Sequence, residues 1–409
     1  MRKKILLKGP LLTRSGYGEQ ARFALRSLRS REDLFEVFIQ PLQWGKTSWI
    51  NDTTTERRWI DRTIEKTIAY IQQGGKFDIS LQVTIPNEFE RIATTNIGYT
   101  AGIETTKIAH QWIPKSNEMD KIITVSSHSK KVFENTEYQA ENRQTGERFD
   151  LRTNTPVEFV NYPVKVFENS SELGLNMTTN FNFLTVAQFG PRKNLQNTIK
   201  WFIEEFRNED VGLVVKSSVA KNCLMDRTML YQQLTTFVRK QGAKQCKVYL
   251  LHGDMTDEEM HSLYKDSRIH AYVSLPHGEG FGLPLFEAAY SALPVVAPGW
   301  SGQMDFLTDE EGEEHFYNVA FDLKPVQKEV VWDGVITAES MWAYPREASA
   351  KEQMRLCYQE QKSEDCQLYA QQLNERFSAE KMYERFVSFI SDNDEVVDEE
   401  IEALFASLE

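Results

Sequence analysis

Cysteine is scarce in this sequence, and its four residues, Cys223, Cys246, Cys357 and Cys366, form no C-x-x-C pair. That spacing argues against a disulfide framework or a zinc ribbon and points to reduced thiols in a cytosolic protein. No segment approaches the ~20 consecutive apolar residues that a membrane-spanning helix needs. The opening MRKKILLKGP has the basic start of a signal peptide, but Lys8 interrupts its apolar run and no small-residue cleavage site follows; a first buried strand is the expectation. A D-x-D motif in a loop after a strand is missing, so no metal ligands are assigned. The full G-x-G-x-x-G fingerprint is missing too, as is any repeat at a period of 20–50 residues.

What is present is a chain of 409 residues with 41% hydrophobic content, long enough for two or three domains with real cores. The net charge of −13 taken whole argues against a partner as acidic as nucleic acid, but the charge is unevenly distributed. Residues 1–168 carry 25 basic and 21 acidic groups, residues 169–391 carry 22 and 31, and residues 392–409 carry 8 acids and no base. The acidity belongs to the second half and the tail. A basic surface on the first half leaves a polyanionic partner open.

The hydrophobic pattern alternates short apolar runs with helical periodicity. Ile5–Leu7, Val37–Ile39, 78–83, 96–100, 121–126 and 157–160 read as strands, with helices at 19–28 and 57–72 among them. Residues 139–156 read as a polar excursion, and 162–179, rich in Pro, Asn and Ser, as a linker. A second series follows, with strands at 183–187, 211–215, 247–251, 270–275 and 294–297 and helices near 194–207, 226–241, 256–265 and 284–292. The expected fold class is α/β, two Rossmann-like domains facing a cleft, with ligands at the carboxyl ends of the strands.

The informative stretch is 273–289, VSLPHGEGFGLPLFEAA. A strand gives way to a loop with three glycines, and a helix begins near Pro284. Glycines admit a ligand close to the backbone, and the free N–H groups of a helix start favour an anion. Glu279 and Glu287 frame that anion site. Carboxylates do not attract phosphate, so hydroxyls are their partners; hydroxyls beside a diphosphate describe a nucleotide-sugar.

Those residues resemble the retaining glycosyltransferases of family 4, whose E-x7-E signature Glu279 and Glu287 match. The resemblance is strong over about 180–310 and architectural over 1–170. It implies the GT-B fold, with residues 1–168 as an acceptor-binding domain, 169–375 as a nucleotide-sugar domain, and a C-terminal helix, about 376–409, returning to the first. Met341–Arg346 and the helical pattern 350–389 resemble that returning segment. Ala187–Asn194 is similar to the family's diphosphate-binding element, although Gln188 stands where an Arg is often found. Arg192, Lys193 and Glu279 are therefore the expected catalytic residues. Donor contacts are expected from Gly16, Arg192, Lys193, Lys216, His277, Gly280, Phe281, Gly282, Leu283 and Glu287. Leu251-His252-Gly253 resembles the segment lining the base.

On the acceptor side Glu104 and His110 are the candidates, with His128 a further one. Trp300 and Trp342 read as core or hinge residues. The phrase from Ala101 to Phe133 is similar to transferases encoded by tailed phages. The implied reaction is retaining and metal-independent, needs no cofactor beyond the nucleoside-diphosphate sugar, and takes place in the cytoplasm, of the host if phage-encoded. The acceptor is either a glycan or a hydroxymethylated pyrimidine in phage DNA. A catalytically silent sugar-nucleotide-binding protein, or a phosphorylase sharing the fold, is the alternative.

Overall fold

The computed structural model describes residues 2–44, 48–142, 144–168, 171–361 and 363–391. The acidic tail from Asp392 to Glu409, expected as a solvated helix, lies outside them, and so does the returning helix beyond Ser391.

The first unit is built from β1 (Lys3–Gly9), α1 (Gly16–Ser30), β2 (Phe35–Pro41), α2 (Thr55–Gln72), β3 (Ile79–Val83), β4 (Thr95–Tyr99), α3 (Trp112–Asn117), β5 (Lys121–Thr124), α4 (Ser127–Asn135), a hairpin of β6 (Glu137–Glu141) and β7 (Arg148–Arg152), and β8 (Val157–Phe159). Its six-stranded sheet runs β2-β1-β3-β4-β5-β8 with every pair parallel. Helices cover both faces of such a sheet, which is why β1 is apolar on both sides, with Ile5, Leu6 and Leu7 all buried.

The second unit contains β9 (Phe181–Val186), α5 (Leu195–Glu205), β10 (Val211–Lys216), α6 (Leu224–Lys240), β11 (Lys247–Leu251), α7 (Asp257–Tyr264), β12 (Ala271–Val273), α8 (Leu283–Tyr290), β13 (Val295–Pro298), α9 (Met304–Leu307) and β14 (Tyr317–Val319). Its sheet runs β11-β10-β9-β12-β13-β14, the Rossmann order, again all parallel. An antiparallel pair, β15 (Phe321–Pro325) and β16 (Met341–Pro345), follows, then α10 (Glu347–Glu360), α11 (Ser363–Arg376) and α12 (Ala379–Ser391).

The strand order reverses direction beside β1 in one sheet and between β9 and β12 in the other. These two switch points open toward each other, where crevices for ligands form. The chain then returns: Phe386 of α12 packs against Phe23 of α1 and Tyr99 of β4, with ring centroids 5.1 and 4.9 Å apart. Phe281, Phe286 and Phe306 of the second unit share one apolar core with Phe23 and Tyr162 of the first. Asp305, at the start of α9, accepts from the Ser127 amide and the Asn161 side chain, each at 2.8 Å, so the two units are also joined by polar contacts.

Three expectations need correction. Helix α1 begins at Gly16 rather than Glu19, because Ser15 caps it by accepting from the Gly18 amide; Gly16 and Gly18 lie in its first turn. Gly18 is required there, since a Cβ would lie 2.0 Å from the Thr13 carbonyl oxygen. The polar excursion at 139–156 contains much of the β6–β7 hairpin, whose buried pattern is too sparse to read from sequence. The single long helix expected over 350–389 is three helices, the first ended by Gln361 in the left-handed region at φ 45°. Strands β14, β15 and β16 had no sequence expectation.

Candidate functional site

The facing strand ends enclose a cleft of about 620 Å³, lined from the first unit by Gly16, Tyr17, Ala101 and Glu104 and from the second by Arg192, Lys193, Lys216, Gly280–Leu283, Glu279 and Glu287. That size suits a small organic ligand.

The loop after β12 crosses the floor of this cleft. A Cβ on Gly278 would lie 2.3 Å from the Glu104 carbonyl oxygen, and one on Gly280 would lie 2.7 Å from that of Ala101. These two glycines therefore let the units close on each other, whereas the sequence had assigned loop glycines to ligand approach alone. Gly282, at φ 97°, starts α8 without a side-chain cap, so the first N–H groups of that helix are open to an anion. On the opposite wall Gly16 lines the cleft at the first turn of α1, where the Gly18 amide is already taken by Ser15. We predict that Gly278→Ala wedges the units apart and weakens nucleoside-diphosphate binding about 10-fold, the size of a typical overpacking cost. Calorimetric titration with solution scattering checks this; unchanged affinity and unchanged dimensions would count against the wedge.

Glu279 is buried and receives Arg192 Nη1 at 2.9 Å and Lys193 Nζ at 2.6 Å. Its backbone N–H donates to Ser301 Oγ at 2.9 Å, and its carbonyl accepts from the Gly302 amide at 3.0 Å. Burial works against the carboxylate, but the two cations outweigh it and hold its pKa below the ordinary value. Arg192 reaches the first unit as well, with Nε 3.3 Å from Glu104. Two cations and two carboxylates thus balance one another across the cleft. An entering diphosphate would compete with Glu279 for Arg192 and Lys193, and hydroxyls would compensate Glu279.

Arg192 and Lys193 are not on the helix that follows. They form a separate 3-10 turn closed by Asn194 in the left-handed region, whose side chain donates to the Leu275 carbonyl at 3.0 Å. This turn is thereby fixed to the end of β12, and the backbone bond from His277 to Arg192 O, 2.9 Å, fixes it again.

Glu287 lies one turn into α8 and faces the same cleft. Burial pushes its carboxyl up to about 7, only partly relieved by the field of Lys165. Lys165 itself bridges Glu19 of α1 and Asp257 of α7, at 2.9 Å each. Lys216 lines the cleft, but its ammonium donates to the Gly253 carbonyl, so it braces the loop after β11. Asp226 braces the neighbouring loop: its carboxylate accepts from the amides of Val219, Ala220 and Lys221 at 3.0, 2.7 and 2.9 Å and meets His252 Nε2 at 2.7 Å.

Three histidines stand apart from the lining. His277 is buried behind it, its Nδ1 on the Ala343 carbonyl at 2.6 Å and its ring stacked on Trp342 at 4.9 Å. His110 is exposed beside Tyr138. His128 packs edge-on against Trp300, and burial lowers its pKa to about 4, which keeps it neutral at pH 7. Of the acceptor-side candidates, only Glu104 reaches the cleft. Sequence reasoning missed Lys165, Asp226 and Ser301. Lys165 and Ser301 act through partners distant in sequence, and the Asp226 loop contacts are local but follow no motif.

Residues 167–319 match the family described as glycosyl transferases group 1. The serotype-specific mannosyltransferase WbdA of Escherichia coli is 31% identical over 132 residues, 32% of this chain and 15% of that protein. The chain thus matches only a small part of that curated relative. Among solved structures, Anabaena Alr3699/HepE in complex with UDP-glucose superposes with a TM-score of 0.57 at 13% identity, covering 96% of this chain and 100% of that one. The lipopolysaccharide outer core galactosyltransferase WaaB, in its apo form, gives 0.56 at 12% identity, covering 95% and 99%. At such identities the likeness is one of fold: two Rossmann-like domains in the GT-B arrangement.

Proposed function

We propose that this protein is a glycosyltransferase that moves a sugar from a nucleoside-diphosphate sugar to a hydroxyl acceptor. Residues 169–375 are the donor side and 1–168 the acceptor side. The observation that carries this reading is the convergence of Arg192, Lys193 and the uncapped start of α8 on the same cleft as Glu279 and Glu287: anion groups and hydroxyl-accepting groups side by side. The group 1 match over the same stretch and the nucleotide-sugar named with Alr3699/HepE support it.

In this reading the anomeric carbon–oxygen bond to the diphosphate breaks while a bond to the acceptor oxygen forms. Arg192, Lys193 and the N–H groups at Gly16 and Leu283 stabilise the charge that develops on the leaving diphosphate. Glu279 accepts from sugar hydroxyls and Glu287 from the ribose. Front-face attack passes the acceptor proton to the leaving phosphate oxygen, so configuration is retained and no side-chain base is needed. The charge is met by these side chains and amides, which is the basis for proposing metal independence. Closure of the units excludes the water that would hydrolyse the donor.

A glycan is the better-supported acceptor. Three of the basic residues of the first unit are engaged: Arg22 and Arg26 pair with Glu19, Arg26 also with Glu56, and Arg31 with Asp33. They form no free basic track of the kind that phosphate backbones require. Incubation with UDP-, GDP-, ADP- and dTDP-sugars, together with simple glycans and 5-hydroxymethylcytosine DNA, tests the whole reading by product mass. Transfer from one nucleotide class to a glycan is expected. Binding of a donor with no turnover on any acceptor or on water would favour the silent module, and absence of binding for every donor would overturn the donor reading itself.

A further inference from the structure

A second cavity, of about 430 Å³, opens in the first unit beside the donor cleft, and Trp44 lines both. It lies past the carboxyl ends of β1 and β3, at the switch point of that sheet. Its other walls include Gln43, Asn87, Glu88 and Glu90.

The chemistry of these walls is specific. Trp44 is half-buried and held edge-on by Tyr17, ring centroids 4.3 Å apart, and Tyr17 is fixed by its hydroxyl, 3.0 Å from Thr100 Oγ1. An aromatic ring thus stands braced at the junction of the two cavities. Around it are planar amides and carboxylates, the groups that accept from and donate to several hydroxyls at once. Asn87, Glu88 and Glu90 are exposed. Lys8 carries the nearest buried positive charge, and it is neutralised by Glu90 at 2.6 Å; Lys115 pairs with Glu118 at 3.0 Å. The surface is therefore apolar on one side, rich in hydroxyl partners on the other, and without a free cation among its described residues.

We propose that this cavity is the acceptor subsite and that it takes a neutral saccharide, one sugar ring lying on Trp44 with its hydroxyls toward Gln43, Asn87 and Glu88. The inference rests on the transferase reading of the adjoining cleft and names its acceptor class. It disfavours nucleic acid, because Glu88 would face the phosphates while Lys8 and Lys115 are already paired.

The test uses the full chain saturated with nucleoside diphosphate and titrated with neutral di- and trisaccharides of mannose, glucose and galactose, with 5-hydroxymethylcytosine duplex as comparison. Saccharide binding is expected, weakened at least 10-fold by Trp44→Ala and about 3-fold by Glu88→Gln, with Trp44→Phe intermediate. In turnover, Glu88→Gln should raise the acceptor KM and leave the donor KM unchanged. Saccharide affinity that is indifferent to all three substitutions, or binding of the duplex in preference to every saccharide, overturns the proposal. Failure of the unsubstituted protein to bind any nucleoside diphosphate strikes instead at the donor reading on which it rests.

Discussion

Arg192→Ala should lower kcat for sugar transfer by about 10³-fold, roughly 4 kcal/mol of transition-state stabilisation, with the melting temperature shifted by only a few degrees. Charge on the leaving diphosphate grows only as the glycosidic bond breaks, so a guanidinium aimed at it acts mainly on the transition state. Arg192 is placed for this by the 3-10 turn and by Asn194, and it also spans Glu104 and Glu279 across the cleft. Arg192→Lys keeps the charge but loses the fork that reaches both carboxylates, so it should recover no more than about a tenth of the activity. Steady-state kinetics with a matched thermal melt decides the point. A kcat within a few-fold of the original for Arg192→Ala would remove Arg192 from the mechanism.

The second large effect belongs to Glu287 and depends on pH. Its carboxyl titrates near 4.5 when the chain is unfolded and at about 7 when folded. Between those values the folded state holds a proton that the unfolded state has released, so stability falls as pH rises through this window. The full shift corresponds to about 3 kcal/mol, and partial exposure of the side chain reduces that to about 2. Glu287→Gln should therefore stabilise the protein by about 2 kcal/mol at pH 8 and change little at pH 4. Donor binding should run the other way. Ribose hydroxyls donate to the carboxylate, so affinity for nucleoside diphosphate should weaken as pH drops below 7, and binding at pH 6 should release protons. Denaturant melts at the two pH values and titrations in buffers of different ionisation enthalpy provide the readout. Equal stabilisation by Glu287→Gln at pH 4 and pH 8 would show that the side chain does not carry the charge penalty assigned to it.

Both predictions concern residues visible in the sequence, yet their state was not. Glu279, Arg192 and Lys193 were legible because the strand, glycine loop and helix around each are local. Their mutual pairing was not, since the two segments lie more than 80 residues apart and meet only where β9 and β12 adjoin. The glycines show the same division. Their spacing announced a loop of close approach, but the partner that Gly278 and Gly280 approach is the backbone of Ala101 and Glu104. His277 stood inside the motif and still falls behind the lining, because its ring is taken up by Ala343 and Trp342.

The sequence by itself determined the alternation of strand and helix, the parallel two-domain class and the glycine-rich segment that lines the cleft, because each depends on residues close along the chain. Tertiary structure alone decided which charges are free. Folding placed Arg22, Arg26 and Lys165 against Glu19, set Lys216 on a carbonyl and left Trp44 at the meeting of two cavities. The pairing of a charge is a distance in space, and periodicity along the chain does not encode it.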